Sequence, residues 1–313
     1  MSIAFTFPGQ GSQAVGMGKA LADEFAVARA VYEEVDDALG EKLSDVMWNG
    51  PADDLTLTRN AQPALMAASI AAMRVLEEKG LNLKDKVSFV AGHSLGEYSA
   101  LAASGALSLA DTARLLRTRG EAMQKAVPVG EGAMAAILGM SLEDVKAVAE
   151  EAANGEVCQV ANDNATGQVV ISGAKAAVER AADLAKEKGA MKAVLLPVSA
   201  PFHCSLMAPA ADVMAEALSK VTIHVPRVPL VANVLASAIE DPEAIRKHLV
   251  EQVTGMVRWS ESISWLANNG VDCLFEVGTG KVLTGLARRI VKGIETVKVG
   301  EPGDIDLALA KLA

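Results

Sequence analysis

A serine between two glycines is the strongest chemical signal in this sequence. Residues 92–96 are Gly-His-Ser-Leu-Gly and match the G-x-S-x-G pattern, with a strand-like run before them and a helical pattern after them. A sharp strand-to-helix turn of this kind projects the hydroxyl of Ser94 into solvent. The backbone N–H of Leu95, at the helix start, is then positioned to stabilise an oxyanion. We expect Ser94 to be a nucleophile; the alternative is an ordinary serine in a glycine-rich turn.

A serine nucleophile needs a general base, and the chain has four histidines. His93 adjoins the serine on the turn, where neighbouring side chains diverge, which favours a structural hydrogen bond. His224 lies in an extended segment, and His248 lies in a charged helical pattern that predicts exposure. His203 follows a predicted strand, in the kind of loop that carries catalytic groups in α/β sheets. Elimination therefore favours His203 as the base.

The loop after the first predicted strand is a candidate for a second oxyanion donor. Residues 7–13 are Phe-Pro-Gly-Gln-Gly-Ser-Gln, so a glycine stands on each side of Gln10. These glycines let backbone N–H groups point into a site, and the N–H of Gln10 is the one we expect to contribute. The alternative is a plain turn.

One predicted helix carries three arginines, Arg114, Arg117 and Arg119. Two of the three are expected to be solvated surface charges. Arg119 differs because Gly120 follows it, and a glycine allows another segment to pack closely there. A buried arginine near the serine would suit a carboxylate on the substrate, through a bidentate pair of hydrogen bonds.

Composition excludes several classes of protein. Of the 313 residues, 51% are hydrophobic and 22% are charged, which is a globular composition and argues against disorder. The formal net charge of −10 makes the chain a poor general binder of nucleic acids. Uninterrupted apolar runs stay below the roughly 18 residues typical of a membrane span, so we expect no membrane segment.

The N-terminal segment and the cysteines bear on the cellular compartment of the protein. The N-terminal segment from Met1 lacks a basic leader and runs straight into a predicted strand, which is not typical of a signal peptide. The three cysteines, Cys158, Cys204 and Cys273, are far apart and include no C-x-x-C pair. We therefore expect neither disulfides nor a metal site, and a reducing cytoplasm fits best.

Short apolar runs alternate with longer helical patterns through most of the chain. Strands separated by helices predict a mostly parallel sheet covered by helices, which is an α/β fold. The predicted strands are 3–7, 87–91, 228–234 and 273–277, and the predicted helices are 61–79, 97–104, 109–126 and 260–268.

The middle of the chain follows a different order. Predicted strands at 133–138, 157–161, 168–172 and 192–198, with helices at 141–153 and 174–188, give β-α-β-β-α-β, the ferredoxin-like arrangement. Residues 162–167 are rich in turn-forming types and are expected to form a turn. We predict a small inserted domain at 128–197, within a larger domain formed by 1–127 and 198–313.

These motifs together resemble the malonyl-CoA:acyl carrier protein transacylase family. The resemblance covers almost the whole chain, in the same order. It implies an α/β-hydrolase-like large domain with a ferredoxin-like insertion, in agreement with the pattern above. The matching blocks are 7–13, 92–98, 119–123, 168–173, 201–203, 276–278 and 281–285.

The resemblance also implies roles for individual residues. Ser94 would be acylated, His203 would be its base, and Arg119 would pair with the malonyl carboxylate. The backbone carbonyl of Gln252 would orient the histidine, which explains why no triad aspartate is found. The remaining implied contacts are oxyanion donors at Gln10 and Leu95 and substrate-binding side chains at Met123 and Phe202. Cys204 departs from the family, which usually has serine after the histidine.

The reaction implied is a ping-pong transfer without metal or cofactor. A malonyl group passes from malonyl-CoA to Ser94 and then to the phosphopantetheine thiol of holo acyl carrier protein, for fatty acid or polyketide synthesis, in an enzyme expected to be a monomer. A serine hydrolase or thioesterase is the first alternative, because its core chemistry is identical. A non-catalytic module that binds acyl chains or carrier proteins is the second.

A basic run near the C-terminus is a candidate docking surface for an acidic carrier protein. Lys281, Arg288, Arg289 and Lys292 follow the predicted strand 273–277. Helical spacing predicts that Lys281, Arg288 and Lys292 share one helical face. A solvated helix face without a partner is the alternative.

Overall fold

The computed structural model describes residues 2–313 and contains two β-sheets with helices packed around them. Met1, the first residue of the N-terminal segment discussed above, lies outside the described residues. The strands are β1 (Ile3–Phe7), β2 (Phe89–Gly92), β3 (Gly132–Leu138), β4 (Cys158–Ala165), β5 (Gln168–Ala174), β6 (Lys192–Leu195), β7 (Leu230–Ala232), β8 (Ser237–Ile239), β9 (Cys273–Val277) and β10 (Glu295–Val299).

Helices connect most of these strands, and a short 3₁₀ helix, Ser205–Met207, follows His203. Among residues 2–313, no helix is both long enough and apolar enough to cross a membrane. The helices are α1 (Lys19–Glu24), α2 (Ala26–Leu39), α3 (Leu43–Asn49), α4 (Ala52–Thr56), α5 (Thr58–Glu78), α6 (Leu83–Lys86), α7 (Gly96–Ala103), α8 (Leu109–Ala126), α9 (Leu142–Ala153), α10 (Lys175–Glu187), α11 (Ala208–Ser219), α12 (Pro242–Thr254), α13 (Trp259–Asn268), α14 (Val282–Ile290) and α15 (Pro302–Leu312).

The large sheet has six strands in the order β10-β9-β1-β2-β7-β8. All neighbours are parallel except β8, which pairs antiparallel with β7. Strands β1 and β9 are buried along their whole length, because helices cover both faces. The carboxyl ends of β1 and β2 therefore meet at the centre of one sheet edge, which is where an α/β sheet places its site.

The small sheet has four antiparallel strands in the order β4-β5-β3-β6. Its chain order is β3-α9-β4-β5-α10-β6, and α9 and α10 close a separate hydrophobic core around Val145, Ile171 and Val178. The predicted fold, a mostly parallel α/β sheet with a ferredoxin-like second unit, is confirmed. The exact boundaries at 128 and 197 stay a prediction.

The turn expected at 162–167 is confined to residues 166–167, and the prediction is wrong for 162–165. Strand β4 continues to Ala165, with irregular pairing to β5 between Val160 and Asn162 and again between Asp163 and Ala165. The other side of this stretch is also paired, because Val257 donates its N–H to the carbonyl of Ala161 at 2.9 Å and accepts from the N–H of Asp163 at 3.0 Å. Pairing on both sides keeps these turn-forming residues extended, and it joins the small sheet to the large unit.

The predicted basic helical face is also wrong. Helix α14 ends at Ile290, so Lys292 lies beyond it, and Lys281 precedes its first residue. Two of the basic side chains are engaged locally: Arg288 donates to the hydroxyl of Thr296 at 2.9 Å, and Arg289 donates to Gln168 at 2.7 Å. A docking role for this region stays a prediction, without the shared helical face.

Candidate active site

The turn after β2 holds Ser94 in an uncommon conformation. Its φ is 54°, in the left-handed region that β-carbon-bearing residues seldom adopt. A Cβ at Gly92 would lie 1.9 Å from the carbonyl carbon of Gly96, and one at Gly96 would lie 2.3 Å from the carbonyl oxygen of Phe7. Only glycine fits at either position. The two glycines thus let the turn press against β1 and support the strained serine between them.

Asn233 fixes the backbone of this turn from the neighbouring strand. Its Oδ1 accepts from the N–H of Ser94 at 2.8 Å, and its Nδ2 donates to the carbonyl of Gly92 at 2.7 Å. Asn233 is not among the residues that the sequence patterns predict for the site. The available signal was a polar residue directly after a buried strand, because carboxyl ends of adjacent parallel strands share one sheet edge.

His203 lies against the serine hydroxyl. Its Nε2 is 2.7 Å from Ser94 Oγ, and its Nδ1 is 2.9 Å from the carbonyl oxygen of Gln252 and 3.1 Å from that of Gly255. Because carbonyls only accept, the ring proton sits on Nδ1 and Nε2 is free to accept from Ser94. Burial, and next the charge of Arg119, lower the pKa of His203 to about 3, so the imidazole is neutral at ordinary pH.

The two expected oxyanion donors border the same space as Ser94. Gln10 and Leu95 both line the cavity above the serine. Within residues 2–313, the backbone N–H of neither residue donates to a protein acceptor. Two free N–H groups beside a serine hydroxyl have the chemistry of an oxyanion hole, which receives the negative charge that develops on a carbonyl oxygen during attack.

Arg119 is buried beside the serine with uncharged partners. It is 1% exposed, and its Nη1 donates to Gln62 Oε1 at 2.8 Å while its Nη2 donates to Gln252 Oε1 at 2.8 Å. The same Nη2 lies 3.2 Å from Ser94 Oγ. In the described part of the chain, no carboxylate forms an ion pair with this guanidinium. Its charge is therefore available to an anionic group in the cavity.

The expectation that two of the three arginines are solvated is wrong. Arg117 is only 9% exposed; it pairs with Glu41 and donates to the carbonyl of Arg59 at 2.8 Å. Arg114 remains exposed, 3.3 Å from Asp111. Arg117 is covered because the start of α5 and Glu41 pack over that face of α8, so burial alone does not single out Arg119. Arg119 is distinguished from Arg117 by the absence of an ion pair.

The other histidines lie away from the serine hydroxyl. His93 Nε2 is 2.8 Å from Asn164 Oδ1 on β4, as a structural hydrogen bond would require, and its ring packs against Trp259. His224 is exposed. The prediction that His248 is exposed is wrong, because its side chain is 14% exposed and lies 2.6 Å from Glu251 on the same helix. Of the four histidines, His203 is the one whose ring is hydrogen-bonded to Ser94 Oγ.

The cavity above Ser94 has a volume of about 450 Å³, a size typical of small-molecule sites. Met123 and Phe202 form part of its apolar wall, as does Leu196, which follows β6. The thiol of Cys204 does not line it, because Sγ is buried and donates to the carbonyl of Pro201 at 3.2 Å. Over residues 2–313, no group of three or more His, Cys, Asp or Glu side chains could hold a metal ion.

The chain resembles known acyl transferases in sequence. Residues 4–301 match the acyl transferase domain family. A malonyl CoA-acyl carrier protein transacylase of Bacillus subtilis is 47% identical over 99% of this chain and 97% of its own length. The one of Escherichia coli K12 is 46% identical over 98% of each chain.

Solved structures agree with this result. The crystal structure of an acyl-carrier-protein-S-malonyltransferase from Bartonella henselae has a TM-score of 0.98 and 61% identity, over 100% of this chain and 99% of that chain. A malonyl-transacylase solved in complex with a type II PKS acyl-carrier protein has a TM-score of 0.96 and 43% identity, over 99% and 100%.

Proposed function

This chain belongs to the malonyl CoA-acyl carrier protein transacylase family, and from this premise we propose that it moves a malonyl group from malonyl-CoA to holo acyl carrier protein. One observation carries the proposal. Ser94 Oγ lies 2.7 Å from His203 Nε2 and 3.2 Å from a buried guanidinium nitrogen of Arg119. A nucleophile, its base and a receptor for an acyl carboxylate thus meet at one atom.

The first half-reaction acylates Ser94. As the hydroxyl oxygen attacks the thioester carbonyl, His203 Nε2 takes its proton. The N–H groups of Gln10 and Leu95 stabilise the oxyanion, and the carbonyl of Gln252 holds the imidazolium through Nδ1. When the C–S bond breaks, coenzyme A leaves as a thiol with the proton from His203, and malonyl-Ser94 remains.

The second half-reaction returns the enzyme to its starting state. The phosphopantetheine thiol of acyl carrier protein attacks the ester carbonyl of malonyl-Ser94, and His203 takes the thiol proton. The same two N–H groups hold the oxyanion. Collapse breaks the C–O bond, and the proton passes to Ser94 Oγ. No metal ion or redox cofactor takes part in these steps.

Selectivity follows from the walls of the cavity. Arg119 offers a charge that the protein itself leaves without a direct ion pair, so the distal carboxylate of malonyl would complete it. Phe202 and Met123 border the same space, and we propose that Phe202 crowds the α-carbon of the acyl group. A thioesterase for neutral acyl groups would have no use for a buried guanidinium at the nucleophile.

The compartment and assembly state are part of the proposal. The three cysteines are all free and buried, which supports a reducing compartment such as the cytoplasm. We propose a monomer that binds neither nucleic acid nor membrane, and light scattering of the purified protein tests the assembly state. Fatty acid synthesis and polyketide synthesis both consume malonyl carrier protein, so the chemistry fits either.

Intact mass spectrometry separates the proposed function from its alternatives. The protein is mixed with malonyl-CoA, its mass is measured, and holo acyl carrier protein is then added. We expect a malonyl adduct that persists in water and moves to the carrier. An adduct lost to water before the carrier is added would indicate a hydrolase. A chain that never gains the mass would indicate a binding module.

A further inference from the structure

A buried carboxylate lies under the nucleophile and is not used by the reaction as described. Glu97 is in the first turn of α7 and is 1% exposed. Its Oε2 accepts from the N–H of Asn233 at 3.0 Å and from Gln252 Nε2 at 2.9 Å. Burial raises the pKa of Glu97 to about 7, although these hydrogen bonds oppose the rise. Burying a carboxyl group costs free energy unless its hydrogen-bond partners compensate, so the partners of Glu97 indicate its role.

The side chain of Gln252 connects Glu97 to Arg119. Its Oε1 accepts from Arg119 Nη2 at 2.8 Å, and its Nε2 donates to Glu97 and, at 2.9 Å, to the carbonyl of Ser94. Arginine can only donate, so the amide oxygen must face Arg119. Glu97 Oε2 and the Ser94 carbonyl accept, so the amide nitrogen must face them. The orientation of Gln252 is thereby determined.

We propose that Glu97 is a positioning residue: through Oε2 it locks the amide of Gln252, which in turn aims Arg119 at the carboxylate of the acyl group. The inference rests on the proposed function, since it names what sets acyl selectivity at that site. Without an acceptor at Oε2, the Gln252 amide nitrogen keeps the Ser94 carbonyl but loses the other of its two close acceptors, so the amide is held less firmly. A less firmly held Gln252 Oε1 would let Arg119 move away from the carboxylate.

A second buried glutamate supplies a matched control. Glu276 is also 1% exposed and also accepts two N–H groups, from Leu283 at 3.0 Å and from Thr284 at 2.7 Å. These contacts cap the first turn of α14 and do not reach Arg119. Replacing Glu276 therefore removes a buried carboxylate of the same kind without touching the path from Glu97 to Arg119.

The test compares Ser94 acylation by malonyl-CoA with acylation by acetyl-CoA, both followed by intact mass. Glu97→Met keeps the length of the side chain but removes the acceptor. We expect the malonyl-to-acetyl rate ratio to fall about tenfold or more, the factor for one hydrogen bond to a charged group. Glu97→Gln retains an oxygen acceptor and should keep the ratio within about threefold of wild type. Glu276→Met should leave the ratio unchanged.

The outcomes separate this inference from the function on which it rests. Equal losses with both donors in Glu97→Met, or a ratio that falls equally in Glu97→Gln, would overturn the positioning role. A wild-type protein that malonyl-CoA does not acylate would instead refute the proposed function. If Glu97→Met does not fold, Glu97→Asp withdraws the acceptor while keeping the carboxylate, and it should lower the ratio in the same direction.

Discussion

The large and the small sheet border the same cavity but contribute to it in different ways. The large unit supplies Ser94, which lines the cavity, and Asn233 and Gln252, which are hydrogen-bonded to it and are themselves buried. The small unit supplies mainly apolar wall, from Met134 on β3 and from Leu196 and Pro197 after β6. Its polar link to the nucleophile turn is the contact from Asn164 to His93.

The difference indicates that the large unit holds the reacting groups and the small unit shapes the cavity. Groups that form and break bonds need geometry held to a fraction of an ångström, and a parallel sheet buried on both faces supplies that rigidity. A wall that shapes a cavity tolerates more variation. Changes in the large unit should therefore alter the chemical step, whereas changes in the small unit should alter binding by smaller factors.

The largest expected effect is at the nucleophile. Ser94→Ala should abolish the malonyl adduct, because no other hydroxyl is hydrogen-bonded to His203 Nε2 in the described chain. The turn accepts a small side chain, so the thermal unfolding midpoint should stay near the wild-type value. Intact mass after incubation with malonyl-CoA gives the answer. A Ser94→Ala protein that still gains the malonyl mass would place the nucleophile elsewhere.

The base should have the next largest effect. His203→Ala should slow acylation of Ser94 by about 10²- to 10⁴-fold, the usual contribution of a positioned general base. Rapid-quench mass spectrometry measures this rate directly. His248→Ala is the matched control and should acylate at the wild-type rate, since its ring is hydrogen-bonded to Glu251 on the same helix and not to Ser94. Comparable losses in both variants would remove His203 from the mechanism.

The pH dependence of acylation tests the same role of His203 as the base. Burial disfavours imidazolium and lowers the pKa of His203 to about 3, so this base stays deprotonated from pH 5 to 8. Burial also disfavours carboxylate and raises the pKa of Glu97 to about 7, within that window. An inflection near pH 7 in the acylation rate should therefore disappear in Glu97→Gln. An inflection near pH 7 that survives in this variant would not arise from Glu97 and would contradict the expectation.

Replacing each of two buried arginines on α8 tests whether selectivity for malonyl depends on burial of the arginine or on its lack of an ion pair. Arg119→Ala should weaken the transition state for malonyl transfer by roughly 2–5 kcal/mol, because the acyl carboxylate would be desolvated without a partner. Acetyl transfer should suffer far less. Arg117→Ala breaks an ion pair with Glu41 and should lower stability while leaving the ratio of the two rates unchanged. Identical losses of malonyl and acetyl transfer in Arg119→Ala would make that arginine structural.

The smallest effect is expected in the small sheet. Asn164→Ala removes the hydrogen bond to His93 and should cost about 1 kcal/mol of unfolding free energy. The acylation rate should fall less than about fivefold, because the bonds from Asn233 still hold the turn. Urea unfolding and the acylation assay measure the two quantities. A loss as large as that of His203→Ala would contradict the division between the two sheets.

Local patterns in the sequence determined much of this protein. The turn containing Ser94, the strand before it and the helix after it are specified by neighbouring residues, and so is the β-α-β-β-α-β order of the small unit. Helix α8 has the predicted bounds Leu109–Ala126, and β9 has the predicted bounds Cys273–Val277. These features are set by side-chain periodicity and by glycine, which act over a few residues.

Only the tertiary structure decided which distant groups meet. Asn233 and Glu97 are separated by 136 positions, yet they share a hydrogen bond because β7 lies beside β2 in the large sheet. Residues 162–165 are extended rather than turned because Val257 pairs with Ala161 and Asp163 from another segment. Sheet order and the packing of covering segments are not encoded in local periodicity. For this reason the sequence indicated Ser94 and His203, while the hydrogen-bonded chain from Glu97 through Gln252 to Arg119 became visible only in the folded chain.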